Sequence, residues 1–203
     1  MFRIKKLFMS IVAMLILVAG AALAQVASNQ AAPNFTLTDT NGQKHSLADY
    51  KGKFVVLEWF NPDCPFVKKH YNSGNMPGLQ KQYTAKGVVW LSIDSSAAGK
   101  EGYYPPQGLN KFMADKGGAP TAVFTDADGR VGHLYAAQTS PHMFVIDPKG
   151  ILIYQGAIDD TPSADIADLK TAKNYVSAAL DAAMTAKPIA VSATKSYGCS
   201  VKY

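Results

Sequence analysis

Two cysteines carry the clearest chemical signal in this chain. Cys64 lies in the stretch WFNPDCPFVKKHY and Cys199 in the C-terminal stretch GCSVKY, and the 203 residues contain no other cysteine. A cysteine attacks as a thiolate, and the unpaired amide groups at the start of a helix favour that charged form. Pro65 follows Cys64 directly, and proline is typical of the first position of a helix. We therefore expect Cys64 at a helix start, where it can act as a nucleophile.

The location of a second thiol leaves three interpretations open. A local Cys-x-x-Cys pair would have its second cysteine at position 67, where this chain has Val67. Cys199 lies in a Gly-containing tail that we expect to be loose, and a loose tail can bring a resolving thiol to a distant partner. A permanent Cys64–Cys199 disulfide would instead stabilise the fold by about 4 to 5 kcal/mol through its long loop. In the third interpretation Cys64 is an ordinary buried cysteine.

Glu58 is the only charged residue in the apolar run FVVLEWF at residues 54 to 60. Such a run is typical of a strand buried on both faces. A buried carboxyl group has a raised pKa and can accept a proton from a thiol, so Glu58 is a candidate general base. If that face of the strand is exposed, Glu58 is merely solvated. Asp63, next to Cys64, disfavours the thiolate.

Residues 1–24 have the features of an export signal. They combine a positively charged start, an apolar stretch and the small residues Ala22-Leu23-Ala24 at the expected cleavage site. This predicts an exported protein, in the bacterial periplasm, with no stable membrane insertion after cleavage. An uncleaved N-terminal membrane anchor is the alternative, although the apolar run is short for a membrane span.

Composition argues against several classes of partner. Cleavage of the signal removes three positive charges and no negative one, so the net charge of +5 becomes +2. This charge does not indicate nucleic acid binding. The sequence also has no basic stripe interleaved with aromatic residues, the pattern that binds single strands. No cofactor is indicated. The histidines are too scattered for a metal site; they are His45, His70, His133 and His142.

Apolar runs and turn residues predict the order of the elements. VVWLSID at residues 88–94 predicts a second buried strand, and a third is expected near residues 122–124. HMFVID and ILIYQG predict an antiparallel pair, and an Asn-Gly turn at residues 41–42 predicts an N-terminal hairpin. The helix after Cys64 should be interrupted near Gly74 and Pro77.

The remaining segments complete the expected domain. Residues 126–132 are expected to form a turn. Residues 161–186 are expected to form one capped helix with an apolar stripe from Ile166 to Met184. Strands alternating with helices predict an α/β sandwich, with a mixed central sheet, helices on both faces and the N-terminal hairpin. We expect a flexible lead at 25–32, one domain at 33–186 and a tail at 187–203 that carries Cys199.

Several blocks of the sequence resemble thioredoxin-like redoxins. KGKFVVLEWFNPDCPF is similar to the strand, turn and helix around their active cysteine, and TSPHMFVIDPKGILIYQG is similar to their cis-proline segment and hairpin. With the APNFTL opening, the matching blocks extend over most of Pro33 to Asp160. The resemblance is to exported redoxins of the AhpC/TSA group and to TlpA-type oxidoreductases. NPDCPFVKKHY and GCSVKY resemble a peroxiredoxin-like subgroup in particular.

The resemblance implies roles for individual residues. Cys64 corresponds to the nucleophilic cysteine, and Glu58 to a buried acid that handles protons. Pro141 corresponds to the cis-proline that lies against the active sulfur. The residues expected to line the active-site groove are Pro141, Ser140, Pro65 and Asn61.

The chain also departs from related patterns. Thiol peroxidases resemble one another in a Pro-x-x-x-Thr-x-x-Cys stretch, and the proline and threonine positions here are Leu57 and Asn61. Arg130, the one arginine outside the signal, lies in an expected turn and has no evident match to the arginine that peroxidases keep near the sulfur.

Three functions follow as expectations. The first is a thiol-disulfide oxidoreductase with Cys64 as nucleophile and Cys199 as distal resolving cysteine, acting on protein or small-molecule thiols and disulfides. The second is a thiol-dependent peroxidase that reduces hydroperoxides through a Cys64 sulfenic acid. The third is a non-catalytic binding domain with a structural Cys64–Cys199 disulfide.

Overall fold

A computed structural model describes residues 26–203 of the chain, so the expected export signal at 1–24 lies outside the described residues. The strands, in chain order, are β1 (Thr36–Thr38), β2 (Lys44–Ser46), β3 (Val55–Trp59), β4 (Val89–Asp94), β5 (Ala122–Thr125), β6 (Thr139–Ser140), β7 (His142–Ile146), β8 (Leu152–Gly156) and β9 (Cys199–Ser200). The α-helices are α1 (Pro65–Asn72), α2 (Asn75–Thr84), α3 (Pro106–Lys116), α4 (Arg130–Leu134) and α5 (Tyr175–Met184).

The five-stranded central sheet has the order β5-β4-β3-β7-β8. β3 runs parallel to β4 and antiparallel to β7, with Leu57 opposite Leu91 on one side and Phe144 on the other. Every residue of these three strands is buried, as expected for a sheet covered on both faces. The prediction of an α/β fold with a mixed central sheet is confirmed.

Alternate residues of β3 enter two separate apolar clusters, because side chains of a strand point to opposite faces in turn. Val56 packs in a cluster that also contains residues of α1, α2, α3 and α5. Val55 and Leu57 pack in the other cluster, which includes Val131 of α4 and the N-terminal segment. Glu58 therefore points to the face that α1 and α2 cover.

The N-terminal hairpin and the helix interruption were predicted correctly. β1 and β2 pair antiparallel around a turn whose Gly42 has a φ of +86°. α1 ends before Gly74, which takes a left-handed conformation with a φ of +75° and precedes α2. This break lets the chain change direction after only two turns of helix.

Two predictions of local structure were wrong. The single helix expected over residues 161–186 is a 3-10 helix (Ile166–Lys170) followed by α5, and Ile166 is 46% exposed. The apolar stripe facing the core is therefore confined to α5, where Val176 and Leu180 are fully buried. The turn expected at residues 126–132 leads into α4 at Arg130, because the Asp126 carboxylate accepts hydrogen bonds from the amides of Val131 and Gly132 in the first turn of that helix.

Both chain ends of the described region pack on the domain. The expected flexible lead does not extend freely: Asn29 donates its amide to Leu152 O, and Ala32 to Gly150 O. The expected loose tail is also docked at the edge of β8, since Thr194 donates its amide to Gln155 O and Gln155 donates its amide to Ser192 O. Unpaired backbone groups at a sheet edge explain both results, because they are satisfied by adjacent chain.

No helix within residues 26–203 combines the length and the apolar character that crossing a membrane requires.

Candidate redox site

Cys64 lies at the start of α1, immediately after the loop that follows β3. It is the residue that precedes the first helical position, which Pro65 occupies as predicted. The Cys64 side chain is buried, with the residue only 1% exposed, and its Sγ donates a hydrogen bond to the Ser140 carbonyl at 3.1 Å. The sequence thus folds Cys64 against the segment that contains Pro141, whose peptide bond with Ser140 is cis.

The hydrogen bond to Ser140 fixes the direction of the Cys64 side chain. In this contact the Sγ–H group donates and the carbonyl oxygen accepts. No hydrogen bond joins the Cys64 side chain to the first amides of α1. Any stabilisation of the thiolate by the helix start therefore comes from the dipole alone in this arrangement.

Cys199 lies directly beside this contact. β9 pairs with β6 in an antiparallel ladder in which Cys199 is opposite Ser140. Ser140 therefore lies against both cysteines, and the Cys199 side chain packs against the buried cluster that contains Cys64. Both cysteines are free thiols in this structure. Burial, and next the neighbouring Cys64, raise the pKa of the Cys199 thiol to about 12.

The tail approaches Ser140 so closely that only glycine fits before Cys199. Gly198 has a φ of +135°, and a Cβ atom there would lie 2.1 Å from the Ser140 carbonyl oxygen. Gly156 meets the tail in the same way, because its Cβ would lie 2.3 Å from Thr194 Oγ1. These two glycines permit the part of the tail before β9 to lie against the domain.

Tyr197 anchors the tail on the N-terminal side of Cys199. Its hydroxyl donates to Asp159 Oδ1, and its ring packs edge-on against Phe66, with ring centroids 5.8 Å apart. Asp159 is buried, and its Oδ2 lies 3.9 Å from Nε2 of the buried His70. Within residues 26–203 neither of these two atoms has a hydrogen-bond partner. The anchor therefore ends in a buried polar pair that joins Asp159 to His70 of α1.

Tyr203 anchors the tail on the other side. Its hydroxyl donates to Ala137 O at 2.8 Å, and its ring stacks on His133 at a centroid distance of 4.0 Å. The backbone between the two anchors is also paired, since Val201 donates to Gln138 O at 3.0 Å. Cys199 is thus held between two aromatic anchors.

Glu58 is fully buried, so the interpretation that it is merely solvated is wrong. Its carboxylate accepts four hydrogen bonds, all between 2.8 and 3.0 Å. The donors are Tyr71 Oη, Gln80 Nε2, Trp90 Nε1 and Ser92 Oγ. Burial raises the pKa of Glu58, while these donors oppose the rise by stabilising the charge.

No hydrogen bond links Glu58 to Cys64 in the described part of the chain. The two residues lie on the same face of the sheet, where Tyr71 donates to Glu58 and packs in the cluster that contains Cys64. A proton transfer between Glu58 and Cys64 would need an intermediate group. The geometry supports a structural role for Glu58 directly and a proton-handling role only at a distance.

Asn61 holds the loop that precedes Cys64. Its Oδ1 accepts the Asp63 amide at 2.8 Å, and its Nδ2 donates to Glu101 O at 3.1 Å. Gly102 lets this side chain pass, because a Cβ there would lie 1.9 Å from Asn61 Nδ2. Asn61 therefore shapes the loop on the side where Glu101 and the tail lie.

Arg130 lies away from the cysteines. Its Nη2 donates to Thr36 O of the N-terminal hairpin at 2.8 Å. Leu57 is fully buried on the opposite face of β3 from Glu58. Neither residue contacts Cys64, which agrees with the departure from the peroxidase pattern seen in the sequence.

Two buried acids lie at the carboxyl ends of the parallel strands near the loop. Burial raises the pKa of Asp94 to about 7, and the negative charges of Asp126 and Asp63 add to this effect. Asp126 accepts hydrogen bonds from Ser95 and from the first turn of α4. In the part of the chain that the structure describes, no group of three or more histidine, cysteine or acidic side chains is placed to hold a metal ion.

Sequence reasoning missed the anchors of the tail. Gly198, Tyr197 and Asp159 are far apart in sequence from Ser140 and Cys64, and their roles depend on tertiary contacts. One local signal was available: Gly198 directly precedes Cys199, and glycine is typical of sites where two backbones approach closely.

Comparison with known proteins places the fold and the family. Residues 28–155 match the AhpC/TSA family. The thiol-disulfide oxidoreductase ResA of Bacillus subtilis (strain 168) is 30% identical over 124 residues, which are 60% of this chain and 63% of that protein. ResA of Geobacillus kaustophilus (strain HTA426) is 30% identical over 125 residues, 62% of this chain and 66% of that protein. The chain thus spans slightly less than two thirds of the length of these curated relatives.

Solved structures agree with this assignment at the level of the fold. A hypothetical protein of Sinorhizobium meliloti 1021 superposes with a TM-score of 0.72 at 23% identity, over 88% of this chain and 96% of that chain. A putative thiol:disulfide interchange protein DsbE of Chlorobium tepidum gives a TM-score of 0.53 at 24% identity, over 64% of this chain and 85% of that chain. This chain has a thioredoxin-like fold and belongs to the AhpC/TSA family.

Proposed function

We propose that this protein is a thiol-disulfide oxidoreductase that forms and breaks a disulfide between Cys64 and Cys199. One observation carries the proposal: the Ser140 carbonyl accepts a hydrogen bond from the Cys64 thiol, and Ser140 is the ladder partner of Cys199, so one residue lies against both cysteines. The curated relatives that share the family are named thiol-disulfide oxidoreductases.

The proposed cycle begins at Cys64. Its thiolate attacks one sulfur of a substrate disulfide, which releases one substrate thiolate and leaves the other substrate half bonded to Cys64. The Cys199 thiolate then attacks the Cys64 sulfur and expels that second half. The substrate disulfide gains two electrons, the two cysteines lose them, and the Cys64–Cys199 disulfide forms.

The tail must move in the first step of this cycle. Cys64 is only 1% exposed while the tail is docked, so a protein disulfide has no direct approach to its sulfur. The contacts that must open are those of β9 with β6 and of the Tyr197 anchor. We propose that the docked state is the state in which the second step takes place.

A thiol-dependent peroxidase is the second candidate, and family membership favours it. The Cys64 thiolate would attack the terminal oxygen of a hydroperoxide, giving a Cys64 sulfenic acid and an alcohol. Cys199 would then condense with the sulfenic acid and release water. The position of Arg130, which contacts the hairpin and not Cys64, weighs against this activity.

We also propose that the protein is exported to an oxidising compartment such as the bacterial periplasm. The support is the signal-like composition of residues 1–24, with a basic start and an apolar stretch. In such a compartment a two-cysteine protein can hold its disulfide. The substrates would then be thiols and disulfides of exported proteins or small molecules.

The test is a redox titration of the protein with its two cysteine variants. The wild type should form one intramolecular Cys64–Cys199 disulfide, identified by mass mapping, and should titrate reversibly in glutathione buffers while folded. Cys64→Ser and Cys199→Ser should each abolish turnover of a small peptide disulfide. Thiols that stay free in oxidising buffer would exclude the cycle.

Two further outcomes separate the alternatives. A disulfide that forms but resists reduction until the protein unfolds would indicate the structural bond of a binding domain. Peroxide consumption coupled to a thiol donor, much faster than that of a free thiol, would support the peroxidase instead.

A further inference from the structure

We propose that the external thiol that reduces the Cys64–Cys199 disulfide attacks the sulfur of Cys199, and that Cys64 leaves as the thiolate. This inference rests on the proposed function, because it concerns the return step of that redox cycle. It differs from the first step of that cycle, in which Cys64 forms the bond to the substrate. The fold leaves the outer side of Cys199 open and encloses the outer side of Cys64.

Thiol-disulfide exchange has a strict approach direction. The incoming sulfur approaches along the axis of the disulfide, from the side opposite to the bond that breaks, and access to that side controls the rate. An attack on Cys64 must therefore come from the side facing away from Cys199. An attack on Cys199 must come from the side facing away from Cys64.

The side of Cys64 that faces away from the tail is the protein interior. Cys64 belongs to the buried cluster that contains Val56, Phe60, Val67 and Met143, and each of these residues is at most 2% exposed. These side chains come from β3, α1, β7 and the loop after β3. A thiol cannot approach through this packed core without opening it.

The side of Cys199 that faces away from Cys64 is near the surface. Cys199 is partly exposed, and Ser200, the next residue in β9, is exposed. The charged neighbours of Cys199 are Glu101 and Lys202. They form an ion pair at 3.7 Å that is open to solvent, since the Glu101 side chain is 66% exposed. An external thiolate can therefore reach Cys199 while the tail stays docked.

The charges favour the same direction of cleavage. The bond breaks more easily when the departing sulfur is the one whose thiolate is better stabilised. Cys64 lies at the start of α1, where the helix dipole stabilises negative charge. Burial raises the pKa of Cys199 to about 12, so Cys199 is the poorer leaving group.

The step balances with a monothiol as the reductant. The thiolate forms a bond with the Cys199 sulfur while the Cys64–Cys199 bond breaks, and its electron pair stays on Cys64. A second thiolate then attacks the donor sulfur of the mixed disulfide, which gives the oxidised donor dimer and the Cys199 thiolate. Two donor thiols lose two electrons, and both protein cysteines return to thiols after protonation.

The test uses the oxidised wild-type protein and glutathione in excess. Samples are quenched with acid at short times, free thiols are blocked with N-ethylmaleimide under acidic denaturing conditions, and peptides are mapped by mass. We expect glutathione on Cys199 and maleimide on Cys64, with the Cys199 adduct in at least about tenfold excess, because only one sulfur has an open side. The same reaction in guanidinium chloride, where both sulfurs are accessible, is the matched control and should lower this ratio.

The outcomes separate this inference from the proposed function. If no Cys64–Cys199 disulfide can be prepared, the proposed function fails first. If the disulfide forms and is reduced, but glutathione is found on Cys64 as often as on Cys199, only the present inference is wrong. The inference is also wrong if the ratio of Cys199 adduct to Cys64 adduct is the same in folded and unfolded protein. The fold would then not determine which sulfur the thiol attacks.

Discussion

Gly198 and Ser140 lie so close that a single methyl group at position 198 would overlap the Ser140 carbonyl. The Cβ would lie 2.1 Å from the oxygen and 2.7 Å from the carbon of that carbonyl. The same carbonyl oxygen accepts a hydrogen bond from the Cys64 thiol. The backbone of the tail and the thiol on α1 therefore meet at one peptide group, and the docking of the tail can be changed without altering either cysteine.

Gly198→Ala should displace the tail from Ser140 and slow formation of the Cys64–Cys199 disulfide. Strain and overlap of about 1 to 3 kcal/mol would lower the docked population by roughly five- to a hundredfold. The rate is measured by quenched alkylation after addition of a mild oxidant. Gly150→Ala is the matched control, because Gly150 also has a positive φ, +83°, but no atom lies within 4 Å of its Cβ position. Equal rates in the two variants would contradict a docked tail.

Tyr197→Phe should weaken the disulfide relative to glutathione. The variant removes the donor to Asp159 Oδ1 and leaves a buried carboxylate with one partner fewer, at a cost of about 1 to 3 kcal/mol in the docked state. The equilibrium constant with glutathione should fall by roughly five- to a hundredfold. Tyr103→Phe, at a residue 39% exposed, serves as the control and should leave that constant unchanged. An unchanged constant in Tyr197→Phe would show that the anchor does not position Cys199.

Glu58→Gln should destabilise the fold more than it affects the cysteines. The Glu58 carboxylate accepts hydrogen bonds from Trp90 Nε1 and Ser92 Oγ, among other donors. In glutamine one of the two acceptor oxygens is replaced by an NH₂ group, which cannot accept these hydrogen bonds. We expect the free energy of unfolding to fall by about 2 to 4 kcal/mol, measured by denaturant titration. Glu101→Gln is the matched control, since these are the only two glutamates and the Glu101 side chain is 66% exposed. A loss of redox turnover at full stability would instead favour a proton-handling role for Glu58.

Stability should fall in mildly acidic solution because of two buried histidines. Burial lowers the pKa of both His70 and His142 to about 4 in the folded protein. Between the unfolded value of about 6.5 and this folded value, the unfolded chain binds more protons, so the free energy of unfolding decreases as the pH falls. Each histidine contributes a slope of at most about 1.4 kcal/mol per pH unit. His142→Gln should flatten the measured slope between pH 6.5 and 4; an unchanged slope would show that His142 is not buried neutral.

Asp94 should lower the free energy of unfolding as the pH rises, which is opposite to the effect of the two histidines. Burial raises its pKa to about 7 from an ordinary value of 3.8. The folded protein therefore binds the extra proton between these values, and the stabilisation is lost as the pH rises through 7. Asp94→Asn can keep the acceptor for the Ser96 amide and should raise the free energy of unfolding at pH 8 relative to the wild type. Asp115→Asn, on an exposed turn of α3, should show no such gain.

The fold could be predicted to a large extent because its signals are local. The apolar runs at β3 and β4 are buried on both faces, and the turn residues at Gly42 and Gly74 mark chain reversals in any context. The helix over residues 161–186 could not be predicted in the same way. Its stripe from Ile166 to Met184 has helical spacing, but only α5 has sheet to pack against.

The sequence by itself determined the candidate nucleophile and its surroundings. Pro65 after Cys64 predicts the helix start, and Glu58 within an apolar run predicts a buried acid, because these relationships extend over fewer than ten residues. The tertiary structure alone decided where the second thiol lies. Cys199 is opposite Ser140 through backbone pairing between β9 and β6, and its docking depends on Gly198 and Tyr197 meeting residues far away in the chain. Such contacts leave no periodic pattern, since shape and hydrogen bonding select them only after the sheet has formed.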